Sequence, residues 1–188
     1  LEFRRVLFRS RLNVTFTNGN EHYIVPGFFA ADGNAAESSA SEGNCWRAHF
    51  APPTAGKWQW TASFRTGTDV AISDDPAAGK PAAFDGASGE LAIAATDKTG
   101  RDFRAHGLLR YVGQRYLQFA GSKQWFLKGG ADSPENFLAY YEFDQTKPTH
   151  RYAPHAIDTR GGDPAWRGGK GKNICGALNY LAEMGVNS

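Results

Sequence analysis

Cysteine is almost missing from this 188-residue chain: two residues, Cys45 and Cys175, are too few for a disulfide scaffold. They fall in segments that read as different domains, so no disulfide is expected. No stretch approaches the roughly 18 apolar residues of a membrane span. An excess of one charge is missing too, since 21 Lys and Arg face 19 Asp and Glu for a net +2. The basic residues are interspersed with acidic ones, leaving no electrostatic footprint for nucleic acid or anionic lipid, so neither is expected as a partner. Metal and cofactor motifs also fail. His150 and His155 lack ligand spacing to one another. Asp85, Ser88 and Glu90 offer three oxygens, where Ca²⁺ takes about six to eight. Residues 168–172, GGKGK, precede Asn173 rather than Ser or Thr, so they read as a solvated helix entry and not a phosphate loop. Neither a cofactor nor a metal is expected.

What is present is a β-rich pattern carrying enough apolar residues, 41% with 13% aromatic, to build a core for one domain or one and a fraction. Residues 12–17, LNVTFT, alternate apolar and polar, residues 18–20, NGN, form a turn, and residues 22–25, HYIV, return, which is the pattern of a hairpin. Residues 33–44 are small, polar and acidic and read as a long loop. The period of two resumes over 45–50, CWRAHF, and 57–64, KWQWTASF, with Gly and Pro turns between. Trp58 and Trp60 are two apart and share a face, which points to a sandwich core. The alternative is that Trp46, Trp58 and Trp60 form the exposed stacking platform of a non-catalytic carbohydrate-binding module. Residues 74–104 are rich in turns, with a strand over 91–94, and residues 106–112 and 116–119 form a second hairpin. No helical period occurs before residue 172. The expected fold class is therefore mainly β, an antiparallel immunoglobulin-like β-sandwich.

The pattern changes at residues 125–141, WFLKGGADSPENFLAYY. A short apolar run ends in two glycines, and Asp132, Ser133, Glu135 and Asn136 then stand beside Phe137, Tyr140 and Tyr141, as a strand opening into a ligand-facing loop is written. Residues 142–172 are irregular. Residues 173–185, NICGALNYLAEMG, place Ile174, Leu178, Leu181 and Met184 at helical spacing, with Asn173 as N-cap and Gly185 just past the end. Residues 186–188 read as the start of another strand, so the order is strand, loop, helix, strand. At the other end, residues 1–10, LEFRRVLFRS, read as a translated sequencing adapter, expected to be disordered and to stay out of any core.

Several runs carry a resemblance: residues 25–29 (VPGFF), 56–61 (GKWQWT), 96–103 (TDKTGRDF), 116–121 (YLQFAG), 126–140 (FLKGGADSPENFLAY), 169–172 (GKGK) and 176–181 (GALNYL). In these the chain resembles bacterial secreted proteins in which a sandwich domain of unknown function precedes a glycoside-hydrolase-like (β/α)8 barrel. The resemblance implies a sandwich over 11–121, packed on its own barrel, and over 122–188 the truncated first strand-loop-helix unit of that barrel. It implies a glycoside hydrolase acting on a poly- or oligosaccharide in an extracellular or periplasmic setting. Such enzymes use paired carboxylates, expected on later barrel strands, so no catalytic residue is assigned and this stretch alone is expected to be inactive. Loops after barrel strands form the active-site face. Asp132, Glu135 and Asn136 are accordingly expected to bind sugar hydroxyls, and Tyr140 and Trp166 to give apolar contact to a pyranose face. The competing reading is that Asp132 and Asn136 cap the loop's own backbone.

Overall fold

The computed structural model describes residues 8–130, 134–144, 147 and 149–187. The chain divides into two compact units, one of Leu1–Gly33, Ser41–Arg110 and Phe119–Gln124, the other of Asn34–Ala40, Tyr111–Gln118 and Trp125–Ser188.

In the first unit, alternation dictates the strands. Strand β1 (Ser10–Asn18) buries Leu12, Val14 and Phe16 and turns its polar residues outward. It pairs antiparallel with β2 (Glu21–Pro26) through the two-residue turn Gly19-Asn20, whose first residue, Gly19, has a φ of 56°, a left-handed value that glycine adopts without steric cost. On its other side β1 pairs antiparallel with β5 (Gly56–Thr66). The far edge of β5 is shared by two strands, β6 (Lys80–Pro81) at residues 65–66 and β7 (Ser88–Ile93) at residues 56–61. A separate two-stranded sheet joins β3 (Phe28–Phe29) to β4 (Trp46–Arg47). The run expected to be a strand over 45–50 is thus only two residues of strand. Phe50 leaves it to stack on Phe16 with ring centroids 4.2 Å apart, and Pro52 and Pro53, which have no N–H to donate, follow. The unit is mainly β, antiparallel and sandwich-like.

Its core is aromatic. Trp58 has no exposed surface and sits with Leu12, Val14, Phe16, Ala62 and Phe64, while Trp46, Phe50, Trp60 and Phe84 pack over them. Phe64 stacks on Phe84 at 4.3 Å, Phe50 meets Trp58 edge to face at 5.1 Å, and the Trp58 indole N–H donates to Thr54 O at 3.1 Å. Trp46, Trp58 and Trp60 are therefore core residues, as the shared face implies, and do not form an exposed row.

Between β6 and β7 the ladder on β5 is interrupted, and Asp85 repairs it: its Oδ1 accepts the Phe64 N–H at 2.7 Å where no backbone carbonyl is in register. The carboxylate considered above as a calcium ligand is thus engaged in the sheet. Asp85→Ala should leave that N–H unpaired beside the core and cost about 1–3 kcal/mol, read as a lower urea midpoint. Asp85→Asn, which keeps an acceptor oxygen, should recover most of it. Nearby, Arg11 and Arg65 stand opposite each other in the β1–β5 register, an arrangement that would repel. The two guanidinium groups instead donate to six carbonyl oxygens of residues 73 and 75–79, at 2.6–3.0 Å, and tie that loop to the sheet. Ahead of β1, the Phe8 and Arg9 carbonyls accept from Ala71 and Gly67 at 3.2 and 2.9 Å, and Phe8 remains 45% exposed. Backbone pairing thus reaches into the stretch set aside as an adapter, with Phe8 outside the core. Residues 1–7 lie outside the described residues.

A further sheet has the order β10-β9-β8, with β8 at Leu109–Tyr111, β9 at Leu117–Phe119 and β10 at Trp125–Phe126; in the second unit β9 pairs antiparallel with β10 through Gln118↔Trp125 and Leu117↔Phe126. The strand expected over 125–128 is short, and its partner is antiparallel. The helices are α1 (Ala35–Ser38), α2 (Pro134–Leu138), a 3₁₀ turn over Ala153–Asp158 and α3 (Lys172–Glu183). All but α3 are too short to show a 3.6-residue period, which is why no helix was expected before residue 172.

Helix α3 begins at Gly171, with φ 92°, and not at an Asn173 cap; the Asn173 amide donates instead to Arg151 O at 3.1 Å. Its end is as expected. Gly185 has φ 88°, its N–H donates to Ala182 O and that of Val186 to Leu181 O, the paired bonds of a Schellman motif. The buried face differs from the expected one: Ile174, Gly176 and Ala177 are buried, whereas Leu178 and Met184 are 50% and 67% exposed. The cause is the 3₁₀ turn, which Gly176 approaches so closely that the backbone of His155 takes the space of a side chain.

Candidate functional site

The strand–loop transition beyond β10 is held from the far end of α3. Asn187 Oδ1 accepts the Gly129 N–H at 2.6 Å, its Nδ2 donates to Leu127 O at 2.9 Å, and its backbone N–H donates to Gly129 O at 2.7 Å. Residues 127–129 and residue 187 therefore lie side by side, with α2, the loop and α3 as the excursion between them.

Helix α2 follows, closed by Ala139 N–H to Glu135 O at 3.1 Å. Glu135 and Asn136 are exposed on it. Phe137 turns to the other side and stacks on Tyr152 at 5.2 Å, and Tyr152 in turn stacks on His150 at 5.8 Å. Tyr152 holds this place with φ 51°, a strained value for an aromatic residue, and burial pushes its phenol pKa up. Asp132 lies outside the described residues.

Tyr140, two residues beyond α2, has no exposed surface. Its ring meets Tyr141, Phe143 and Trp166 edge to face at 5.1, 5.4 and 6.4 Å, and Phe143 stacks on Trp166 at 5.7 Å. The structure thus brings Tyr140 and Trp166 together, but as packing. Tyr140 cannot present a face to a sugar because its surroundings cover it, whereas Trp166 is half-buried.

Beneath these rings lies Glu142, unremarked in the sequence. It accepts from the Tyr140 hydroxyl, from the Tyr141 hydroxyl at 3.0 Å and from the Gly171 N–H at 2.8 Å. Burial pushes its carboxyl up, but those donors, with the charge of Lys170, outweigh it and hold the group below the usual range. The converse applies to Tyr140, whose phenol burial and the Glu142 hydrogen bond push well above its ordinary value. Glu142 thus joins the start of the loop to the start of α3. Gly171 is glycine for a second reason, since the Trp166 ring occupies the place of its Cβ.

A second polar cluster closes the loop. The Arg167 guanidinium reaches both oxygens of Asp144, at 3.1 and 3.2 Å, its backbone N–H donates to Glu37 Oε2 at 2.7 Å, and the Ser39 hydroxyl donates to Asp144. The Ser39 hydrogen bond and the charge of Arg167 hold the Asp144 carboxyl below its usual range. Among the described residues no group of three or more His, Cys, Asp or Glu side chains is placed to hold a metal ion, and no helix is long and apolar enough to cross a membrane. His155 is engaged with Asp158 at 3.0 Å.

Residues 8–65 match the family described as a domain of unknown function, DUF5060. The match runs from the residues before β1 almost to the end of β5, within the stretch that resembles a sandwich domain of unknown function. Among solved structures, that of a "putative glycoside hydrolase" from Bacteroides vulgatus ATCC 8482 is similar at 23% identity with a TM-score of 0.42. The similarity covers 65% of this chain and 18% of that one, so this chain spans less than a fifth of that neighbour. No curated protein matches the chain.

Sequence reasoning missed Glu142, Arg151 and Tyr152. The one signal for Glu142 is the run of residues 140–144, YYEFD, in which acids alternate with rings; Arg151 and Tyr152 lie in the irregular stretch after it and carry none.

Proposed function

We propose that this chain is part of a secreted carbohydrate-active enzyme, a glycoside hydrolase acting on a poly- or oligosaccharide outside the cytoplasm. Residues 125–187 are its first strand-loop-helix unit of a (β/α)8 barrel, and the loop after β10 is a sugar subsite. The observation that carries the reading is the pairing of Asn187 with Leu127 and Gly129, because a chain that leaves a strand, forms a helix and returns beside the same strand is the repeating unit of such a barrel. The loop after the strand then opens on the active-site face. There Glu135 and Asn136 are exposed, a carboxylate and an amide suited to paired hydrogen bonds with sugar hydroxyls. Behind them Phe137 packs α2 onto Tyr152, and Trp166 offers an apolar edge. Asp132 belongs to the same subsite by its place in the sequence.

Affinity electrophoresis of this chain through gels containing soluble polysaccharides tests the proposal. Retardation by at least one polysaccharide is expected. Glu135→Gln and Asn136→Ala should each weaken it about 5- to 150-fold, the equivalent of one lost hydrogen bond of about 1–3 kcal/mol. Unchanged retardation with lowered thermal stability in both variants would give these side chains to the loop's own structure instead.

A further inference from the structure

The arginines of the second unit are not equivalent. Arg160 pairs with Glu183 at 2.5 Å and Arg167 with Asp144 at 3.1 Å. Arg115 and Arg151 are both exposed and, among the described residues, have no carboxylate partner; each lies over a tyrosine ring, Tyr116 at 5.5 Å and Tyr141 at 5.3 Å from the centroid, and of the two only Arg151 stands in the loop after β10. A guanidinium laid on a ring keeps its N–H edge free while its plane is fixed. The base of the side chain is fixed as well. The Tyr141 N–H donates to His150 O at 3.0 Å, Arg151 O accepts from the Asn173 amide at 3.1 Å, and the next residue, Tyr152, is clamped between Phe137 and His150. The Tyr141 hydroxyl is itself committed to Glu142, at 3.0 Å, so the ring that carries Arg151 cannot swing away. Glu142, the nearest carboxylate along this series of neighbours, is already engaged by three donors.

We infer that Arg151 is a preorganised carboxylate receptor and that the sugar bound at this loop is a uronic acid. The inference rests on the proposed sugar subsite and names its substrate class. A planar fork of N–H donors matches the two oxygens of a uronate, and a pre-oriented arginine loses little side-chain freedom on binding. Uronate binding should therefore be selective over the corresponding neutral sugar.

The same electrophoresis, run with polygalacturonate and with its fully methyl-esterified form in buffer of physiological ionic strength, separates the two ideas. The expected result is retardation by polygalacturonate that falls at least tenfold on esterification and at least tenfold in Arg151→Gln. Arg115→Gln, which removes an arginine lying over Tyr116 at 5.5 Å, serves as the control for general charge and should bind like the unaltered chain. Circular dichroism of Arg151→Gln should be unchanged, and Arg151→Lys should recover only part of the binding, since an ammonium has no fork. Equal retardation by acid and ester, or an equal loss in Arg115→Gln, would overturn the uronate assignment and leave the sugar subsite standing. Retention by neutral polysaccharides but not by polygalacturonate would do the same. Retention by no polysaccharide of either kind would overturn both.

Discussion

Gly176→Ala is expected to detach α3 from the 3₁₀ turn at Ala153–Asp158 and loosen the whole loop. A Cβ on residue 176 would stand 1.8 Å from His155 O and 2.8 Å from its carbonyl carbon, distances no pair of atoms tolerates. The obstacle is backbone, so no side-chain rotation relieves it. Alanine in mid-helix gains about 1 kcal/mol of helix propensity over glycine, whereas overpacking costs about 1–3 kcal/mol, and at this depth of overlap we expect the upper end. The interactions that would break with it are specific: Asn179 Nδ2 to Asp158 O at 2.9 Å, Thr159 Oγ1 to Lys172 O at 3.0 Å, and the His155 ring against Tyr180 at 4.9 Å. Hydrogen exchange should accelerate over 153–159 and 172–183 and leave β1 and β5 unchanged. A Gly176→Ala chain more stable than the original would mean that the helix does not sit on this turn.

The second large effect belongs to the other unit. Trp58 is fully buried at the centre of the aromatic core, touching Tyr23 and Phe50, with its indole N–H engaged by Thr54 O at 3.1 Å. Trp58→Ala removes the largest ring of that core and should cost about 3–5 kcal/mol. That is a large part of the roughly 5–15 kcal/mol by which domains are typically stable, so the variant should unfold at much lower urea or fail to fold. Trp60→Ala, half-buried at the edge of the same cluster, should cost clearly less. An equal loss in both, or a loss of polysaccharide binding with stability intact, would revive the stacking-platform reading of these tryptophans.

The difference between the two units in how far the sequence foretold them has a physical cause. In the first, each strand that buries one face writes a period of two: Leu12, Val14 and Phe16 on β1, Trp58 and Ala62 on β5. The hairpin at Gly19 follows from that period and from turn chemistry, whereas the pairing of β1 with β5, some forty residues on, has no local signal. What alternation does not carry is repair of the ladder, so Asp85 read as a loop acid although it supplies an acceptor to Phe64. In the second unit the length and end of α3 were legible, because a left-handed Gly185 stops a helix wherever it packs. Its buried face was not, since that depends on a 3₁₀ turn that has no period of its own. Likewise, Glu142 acquires its role from Gly171, 29 residues on, and no local pattern marks such a pair. Glu135 and Asn136 were legible as exposed polar groups beside aromatic ones, whereas the burial of Tyr140 arises from rings brought in by residues 143, 152 and 166.

The most direct test of the sugar subsite is amide hydrogen exchange on the intact chain, with and without a saturating soluble polysaccharide that retards it in gels. The account predicts slower exchange over 134–144 and 149–152 and around Trp166, with β1, β2 and β5 unaltered. Protection confined to the sheet of the first unit, with none over 134–152, would contradict it.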